Sequence, residues 1–571
     1  MNASRHARGI LFPTALFVVA TCTALLLPGA AAAQMPQGDD TGPEPGPLTR
    51  CDTALYPSLG WTTCELENLG VTLQNPNRHL DQTLGVVAAT TRYQRDRARA
   101  LRNDRERNPN PNPCTTVVLC PVDPRILDFE DRGGIVEPVL YTSRSGGTIS
   151  GHVWATEDGP DQRPGVVIIN GSVIGFEQIY WYAAQALAKS GFVVMTFDAQ
   201  GEGNSDQFGE PPDALEAAFA GIPGVGVLAP DGVKTNGLGG NGLPFYDGGT
   251  DALNFFVSTP DDIYTPVNSR TTDTSHADKQ QRRVEEGFNA AFNPLWEMLD
   301  TDRIGLAGHS YGAEAASYLG QSDNRVDAVV AWDNLCVPVQ PSPNEAEAVA
   351  GARTFGADRP PGLPAIYALP PECFGAPAGP EPEITTPALG ITSDYLIPGV
   401  VPYLAPPDPD YNSAASSTYS QAGVDTGSIV IRGGTHFEFN DVPALIPASL
   451  RGIDLVTWYT VAWFRKYLQD DPEADRMLLT ARWRNDETAG RVNPAGDPNM
   501  FSWHFLSRLD IGLENGSRFE CEDLRVGCEG QVTKANDGGR DNYSFVSAIT
   551  GAPERDRPRV RALGQLLNGR Q

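Results

Sequence analysis

Basic charge is what this sequence has least of. Its 43 Lys and Arg face 71 Asp and Glu, a formal charge of −28 at pH 7, and only five of those bases are Lys. A surface of that sign repels phosphate backbones and anionic lipid, so nucleic acid and membrane surfaces are not expected partners of the mature chain. Its acidity reads first as solubility. Histidine is scarce as well: seven in 571 residues, with only two after Ser310. No Cys-x-x-Cys occurs, which argues against a zinc site. Beyond the N-terminus no stretch approaches the about 18 uninterrupted apolar residues of a membrane span.

What is present begins with an export signal. Arg5 and Arg8 precede an apolar stretch over 10–27, and Ala31, Ala32 and Ala33 offer a small-residue cleavage site before Gln34. The expected location is therefore outside the cytoplasm, secreted or periplasmic; a retained anchor is the alternative reading of the same stretch. Residues 1–33 are read as the signal and 34–50, rich in Pro, Gly and acid, as a flexible leader. Removing the signal takes Cys22 and leaves eight cysteines, an even number suited to an oxidising compartment. Spacing cannot fix their connectivity. Because each sequence-local pair brackets a Pro- or Gly-rich loop, the expected bonds are Cys51–Cys64, Cys114–Cys120, Cys336–Cys373 and Cys521–Cys528.

Residues 51–130 form a Cys-containing N-terminal extension with an Arg-rich stretch. From there the pattern changes. Residues 135–141 and 148–154 alternate as antiparallel strands do. Short apolar runs at 166–169, 192–197, 304–307, 326–332, 388–391 and 429–431 read as strands buried on both faces, with helical patterns between several of them. Alternation of this kind predicts an α/β protein with a mostly parallel sheet covered by helices on both sides. The catalytic domain is expected over 131–485, with long insertions at 209–250 and 338–384 that shape the substrate cleft. Residues 486–571 lie outside the core pattern as a C-terminal extension.

The chemistry centres on Gly308-His309-Ser310-Tyr311-Gly312, the sequence's one Gly-x-Ser-x-Gly. A pentapeptide this short arises readily by chance, so its context decides. Residues 304–307 read as a buried strand and 313–319 as a helix, the strand-turn-helix that a nucleophile elbow requires. Ser310 then needs a base, and the base needs a carboxylate to orient it. His436, in Gly433-Gly434-Thr435-His436-Phe437 directly after a strand, is the expected base; His504 lies in the tail. For the acid, Asp394 follows the strand at 388–391 and is favoured by the chain order Ser, acid, His. Asp333, ending the preceding strand, is its geometric rival, and Asp408 and Asp410 sit in a Pro-rich loop further on. The oxyanion donors are expected from the backbone of Tyr311, next to the nucleophile, and of Ser172, in the turn Asn170-Gly171-Ser172. His309, inside the elbow, reads as packing beside the sheet, and Tyr180, Trp181, Tyr182 and Trp332 as aromatic core packing or cleft lining.

These stretches resemble the bacterial cutinase and polyester-hydrolase group within the dienelactone-hydrolase-like α/β-hydrolases. The resemblance rests on residues 171–198, 302–312, 434–440 and 461–465, about half the chain in overall span. It implies an α/β-hydrolase fold, with Ser310 and His436 as nucleophile and base and Ser172 and Tyr311 as oxyanion donors. Aligned without gaps from Pro387, that group's acid would fall on Leu396, two residues past Asp394. Asp198-Ala199-Gln200-Gly201-Glu202-Gly203-Asn204-Ser205 also resembles a turn widespread in α/β-hydrolases. The expected function is thus a secreted serine hydrolase of carboxylic esters, small or polymeric, working through an acyl-enzyme without metal or organic cofactor. Amide or acyl-transfer chemistry with the same triad, or a non-catalytic binding protein on the scaffold, are the alternatives.

Overall fold

A computed structural model describes residues 97–109, 129–172, 175–215, 242–338, 372–377, 379–395, 410–442, 446–447, 450–480, 501–502 and 505–531, with a few isolated positions before 97. The signal and leader, Cys51–Cys64, Cys114–Cys120, Asp408, and most of both insertions lie outside the described residues.

The protein is of the α/β class. Its strands are β1 (Gly134–Thr142), β2 (Thr148–Thr156), β3 (Arg163–Ile169), β4 (Val193–Phe197), β5 (Leu299–His309), β6 (Val326–Trp332), β7 (Ala388–Tyr395) and β8 (Thr426–Thr435). A two-residue pair, β9 (Asp441–Val442) and β10 (Ile446–Pro447), is followed by β11 (Arg508–Gly512) and β12 (Arg518–Cys521). Ten of these form one sheet in the order β1-β2-β4-β3-β5-β6-β7-β8-β11-β12. From β4 to β8 every pairing is parallel, while β1, β2, β11 and β12 pair antiparallel at the flanks.

Period-two alternation explains why the central runs are apolar throughout: each face of the sheet is covered, so both residue sets are buried. Val166 and Ile168 of β3 point into one core with Trp181 and Trp463, and Val167 and Ile169 into the other with Phe255 and Ala316. The first face is covered by α1 (Trp181–Lys189) and, later in the chain, a helix over Leu450–Gln469. The second face is covered by α2 (Leu243–Phe256), then the helix Tyr311–Ser322, then Ala414–Gln421. With α3 (Ala277–Glu285) counted, those last-named become α4 (Tyr311–Ser322), α5 (Ala414–Gln421) and α6 (Leu450–Gln469). Helix α2 starts inside the 209–250 insertion: Pro244 sits in its first turn, where a missing N–H costs nothing. The C-terminal tail also joins the core, since β11 pairs with β8 and carries the sheet past residue 485.

Two of the expected disulfides are formed. Cys336–Cys373 ties the segment after β6 to the loop at Phe374, and Cys521–Cys528 closes the tail after β12. Among the described residues no helix is long and apolar enough to cross a membrane. Of the N-terminal extension, residues 104–108 lie on the main body: Arg283 pairs with Asp104 at 2.5 Å and Arg107 with Asp206 at 3.2 Å.

The strand order contains a switch point. The chain leaving β3 crosses to β4 on one side of the sheet order, and the chain leaving β5 crosses to β6 on the other. Helices α1 and α4 accordingly lie on opposite faces. Between the carboxyl ends of β3 and β5 the connections diverge, the position at which open α/β sheets bind ligands. Ser172 and Ser310 follow those two strand ends.

Candidate active site

Ser310 occupies the sharp turn between β5 and α4. Its φ of 56° and ψ of −122° lie in a region that L residues rarely adopt. The surroundings hold it there. Its N–H donates to Trp332 O of the neighbouring strand at 3.0 Å, and its carbonyl accepts from Ala313 N at 2.8 Å and Glu314 N at 3.1 Å. The flanking glycines are required by space: a Cβ on Gly308 would collide with Gly312 O, and one on Gly312 with Ile169 O. Sequence reading of this pentapeptide as strand-turn-helix thus has a direct steric reason.

The β3 end closes on the elbow from the other side. A Cβ on Gly171 would stand 3.2 Å from Ser310 Cβ, so only a bare backbone passes at this distance without pressing on the serine. Asn170 braces the turn, donating to Gly171 O at 2.8 Å and accepting from Ala199 N at 2.8 Å. Gly171 N–H is committed to Tyr180 Oη at 3.1 Å. Ser172 is the next residue of the turn and is partly exposed. Tyr311 opens α4, where the first N–H groups have no intrahelical acceptor and the helix end carries partial positive charge.

His436 stands in the turn after β8, partly exposed, and its Nδ1 lies 2.5 Å from Asp333 Oδ2. That carboxylate is not the one that chain order favours. Asp333 follows Trp332 at the end of β6 with φ 47°, its N–H donating to Ile391 O of β7 at 2.9 Å. Ser393 Oγ approaches its other oxygen at 3.5 Å.

Asp394 is engaged elsewhere. Strand β7 does not stop at residue 391 but continues to Tyr395, with a register irregularity between Ser393 and Tyr395. Asp394 is therefore inside the β7–β8 ladder, buried, and its Oδ2 accepts from Gly433 N at 2.6 Å. It fixes the backbone just before the His436 turn, while Asp333 meets the imidazole. Asp410 is exposed at the start of a helical turn, its carbonyl accepting from Ser413. The signal available in the sequence was that Asp333 directly follows the apolar run 326–332, the next such run after the one that leads to Ser310.

His309 is also more than core packing. It is buried, its ring centroid is 4.6 Å from that of His436, and its Nε2 is 2.9 Å from His436 O. On its other side Nδ1 is 2.8 Å from Tyr180 Oη. Burial holds the His309 pKa well below the ordinary value, the neighbouring His436 pressing in the same direction. Its ring is therefore neutral at pH 7.

Beneath the elbow lies Glu314, fully buried in the first turn of α4. Burial raises its pKa well above 4.5; an N–H from Phe374 to Oε2 at 3.3 Å opposes this and the nearby Glu372 adds to it. The folded protein thus keeps the Glu314 proton where the unfolded chain releases it. Stability from this group is complete below about pH 4.5 and declines, by about 1.4 kcal/mol per pH unit, until the folded pKa is passed. Glu314→Gln is expected to remove that decline: its stability relative to wild type should rise between pH 5 and pH 8 in urea titrations. An unchanged difference across that range would contradict it.

The geometry thus brings a strained serine, a histidine–carboxylate pair and two candidate backbone donors to one edge of the sheet. Compared with models of known protein families and with curated proteins, the chain matches none.

Proposed function

We propose that the protein is a serine hydrolase of carboxylic esters built on an α/β-hydrolase scaffold, with Ser310, His436 and Asp333 as its triad. The observation that carries this is the 2.5 Å pairing of Asp333 with His436 Nδ1, in loops at the same sheet edge as the positive-φ Ser310. The resemblance of residues 302–312 and 434–440 to the cutinase and polyester-hydrolase group supports the ester reading over other acyl substrates.

In this mechanism Ser310 Oγ attacks the acyl carbon while His436 Nε2 takes its proton. Asp333 accepts the hydrogen bond from Nδ1–H, which fixes the ring and stabilises the imidazolium. Negative charge developing on the carbonyl oxygen is met by the N–H groups of Tyr311 and Ser172, with the N-terminus of α4 adding its partial charge. His436 then passes the proton to the departing alkoxide, leaving the acyl group on Ser310. A water deprotonated by His436 attacks that acyl carbon, and His436 returns the proton to Ser310 Oγ as the carboxylic acid leaves. Apart from substrate and water, every group these steps use is a side chain or backbone amide of the chain. Export is proposed on the N-terminal pattern, and the two disulfides are compatible with an oxidising compartment.

The test is hydrolysis of p-nitrophenyl esters of graded acyl length, with matching anilides in parallel, by wild type and Ser310→Ala. Ester turnover that vanishes in the variant is expected, with anilides cleaved far more slowly. Equal ester rates for the two proteins would end the proposal, and faster anilide cleavage would shift it to amide substrates.

A further inference from the structure

We infer that Tyr180 and His309 form a positioning relay that locks the Ser172 turn to the His436 loop, so that the oxyanion donor and the general base are set by one hydrogen-bonded chain. The inference rests on the hydrolase reading for its kinetic meaning, though not for its geometry.

Four contacts define the chain of bonds. Gly171 N lies 3.1 Å from Tyr180 Oη, Tyr180 Oη lies 2.8 Å from His309 Nδ1, and His309 Nε2 lies 2.9 Å from His436 O. The fourth is the His436–Asp333 pair itself. The donor directions follow from chemistry. A backbone carbonyl only accepts, so His309 Nε2 carries the hydrogen. A neutral ring then has a bare Nδ1, which must accept the hydroxyl proton of Tyr180. The tyrosine oxygen in turn accepts from Gly171 N–H. Every donor has an acceptor, and only this sense of the chain achieves that with His309 neutral.

Deep burial keeps the arrangement in place. Tyr180 and His309 are 1% and 3% exposed, and no water competes easily for bonds at that depth. Burial also drives the Tyr180 pKa upward and that of His309 downward, so neither group changes charge near neutrality. Ring packing reinforces the bonds: Tyr180 stacks on Trp332, the residue before Asp333, at 6.1 Å, and His309 lies 5.5 Å from Phe439.

The consequence is specific. Gly171 N–H is turned into the relay, which leaves Ser172, one residue on, as the donor of this turn to the oxyanion. The same relay holds the backbone of the residue that must move the proton. Neither Tyr180 nor His309 touches substrate; both act through Gly171 and His436. Loss of the relay should lower kcat more than it raises KM, because small errors of position weigh on the transition state.

The test uses Tyr180→Phe, which keeps the ring and its stacking, with His309→Phe and His309→Gln, on a short-chain p-nitrophenyl ester. Tyr180→Phe and His309→Phe are expected to lower kcat by about tenfold to a hundredfold with KM within about threefold. His309→Gln, whose amide can still donate to His436 O, should recover part of that loss. Rates for both Phe variants within twofold of wild type, or loss confined to thermal stability, would overturn the inference.

Nitrogen-15 NMR of the wild-type imidazoles provides a readout independent of activity. His309 should show the neutral Nε2–H tautomer, without titration, from pH 5 to pH 9. The Nδ1–H tautomer, or titration within that range, would overturn the relay. If the wild type lacks esterase activity while His309 shows the expected tautomer, the hydrolase reading fails and the hydrogen-bonded chain stands.

Discussion

Asp333→Asn is expected to lower kcat for ester hydrolysis by about 10⁴-fold with little change in KM. The substitution preserves size, so the cause is electronic. The carboxylate 2.5 Å from His436 Nδ1 accepts a hydrogen bond and offsets the imidazolium charge. An amide can offer its NH₂ instead, which favours the tautomer with the proton on Nε2, where it cannot take one from Ser310. Asp394→Asn makes the contrast. Its amide oxygen can still accept from Gly433 N, so kcat should stay within about tenfold of wild type by the same comparison of free energies. Steady-state kinetics of the two variants on one ester decides the acid. Inactivity of Asp394→Asn beside near-normal Asp333→Asn would reverse the assignment.

A second large effect is expected from the nucleophile and base together. Ser310→Ala and His436→Ala should each cost about 10⁶-fold in kcat, and the double variant no more than either alone. In the proposed mechanism the two side chains perform one proton-coupled attack, so with one absent the other has nothing to do. Single-turnover measurements with an activated ester give the residual rates. Losses that multiply in the double variant would mean that the residues work independently, which the mechanism forbids.

Much of this architecture was legible in the sequence because its strands are buried on both faces. Runs such as 166–169 and 326–332 have no polar residue to blur their edges except Asp327, and β3 and β6 lie over them. The elbow was legible for a different reason: Gly308 and Gly312 answer a steric demand that no other residue meets. His436 was singled out by its place after an apolar strand, and it does stand in the turn after β8.

The carboxylate that pairs with His436 was harder to read. Chain order favours Asp394, but it is informative only if β7 ends before that residue. The apolar run stops at Ile391, whereas Thr392 and Ser393 are both buried and continue the strand. The β1–β2 flank was legible from its alternation, whereas the β11–β12 flank was obscure because it lies in the tail beyond the run of alternating strands and helices. Helix α2 was hidden in a Gly- and Pro-rich stretch, although Phe245, Tyr246, Leu253 and Phe256 bury one side of it. The role of Tyr180 and His309 could not be read from spacing, since it depends on contacts between segments about 130 residues apart, 129 for the first pair and 127 for His309 with His436.

The most direct measurement is the site of covalent attack. The full chain would be incubated with a p-nitrophenyl phosphonate ester, digested and examined by mass spectrometry. A single phosphonyl adduct on Ser310 is predicted, forming with release of one p-nitrophenol per chain and absent from His436→Ala over the same interval. An adduct on another residue, or none at all from a folded wild-type protein, would contradict the account.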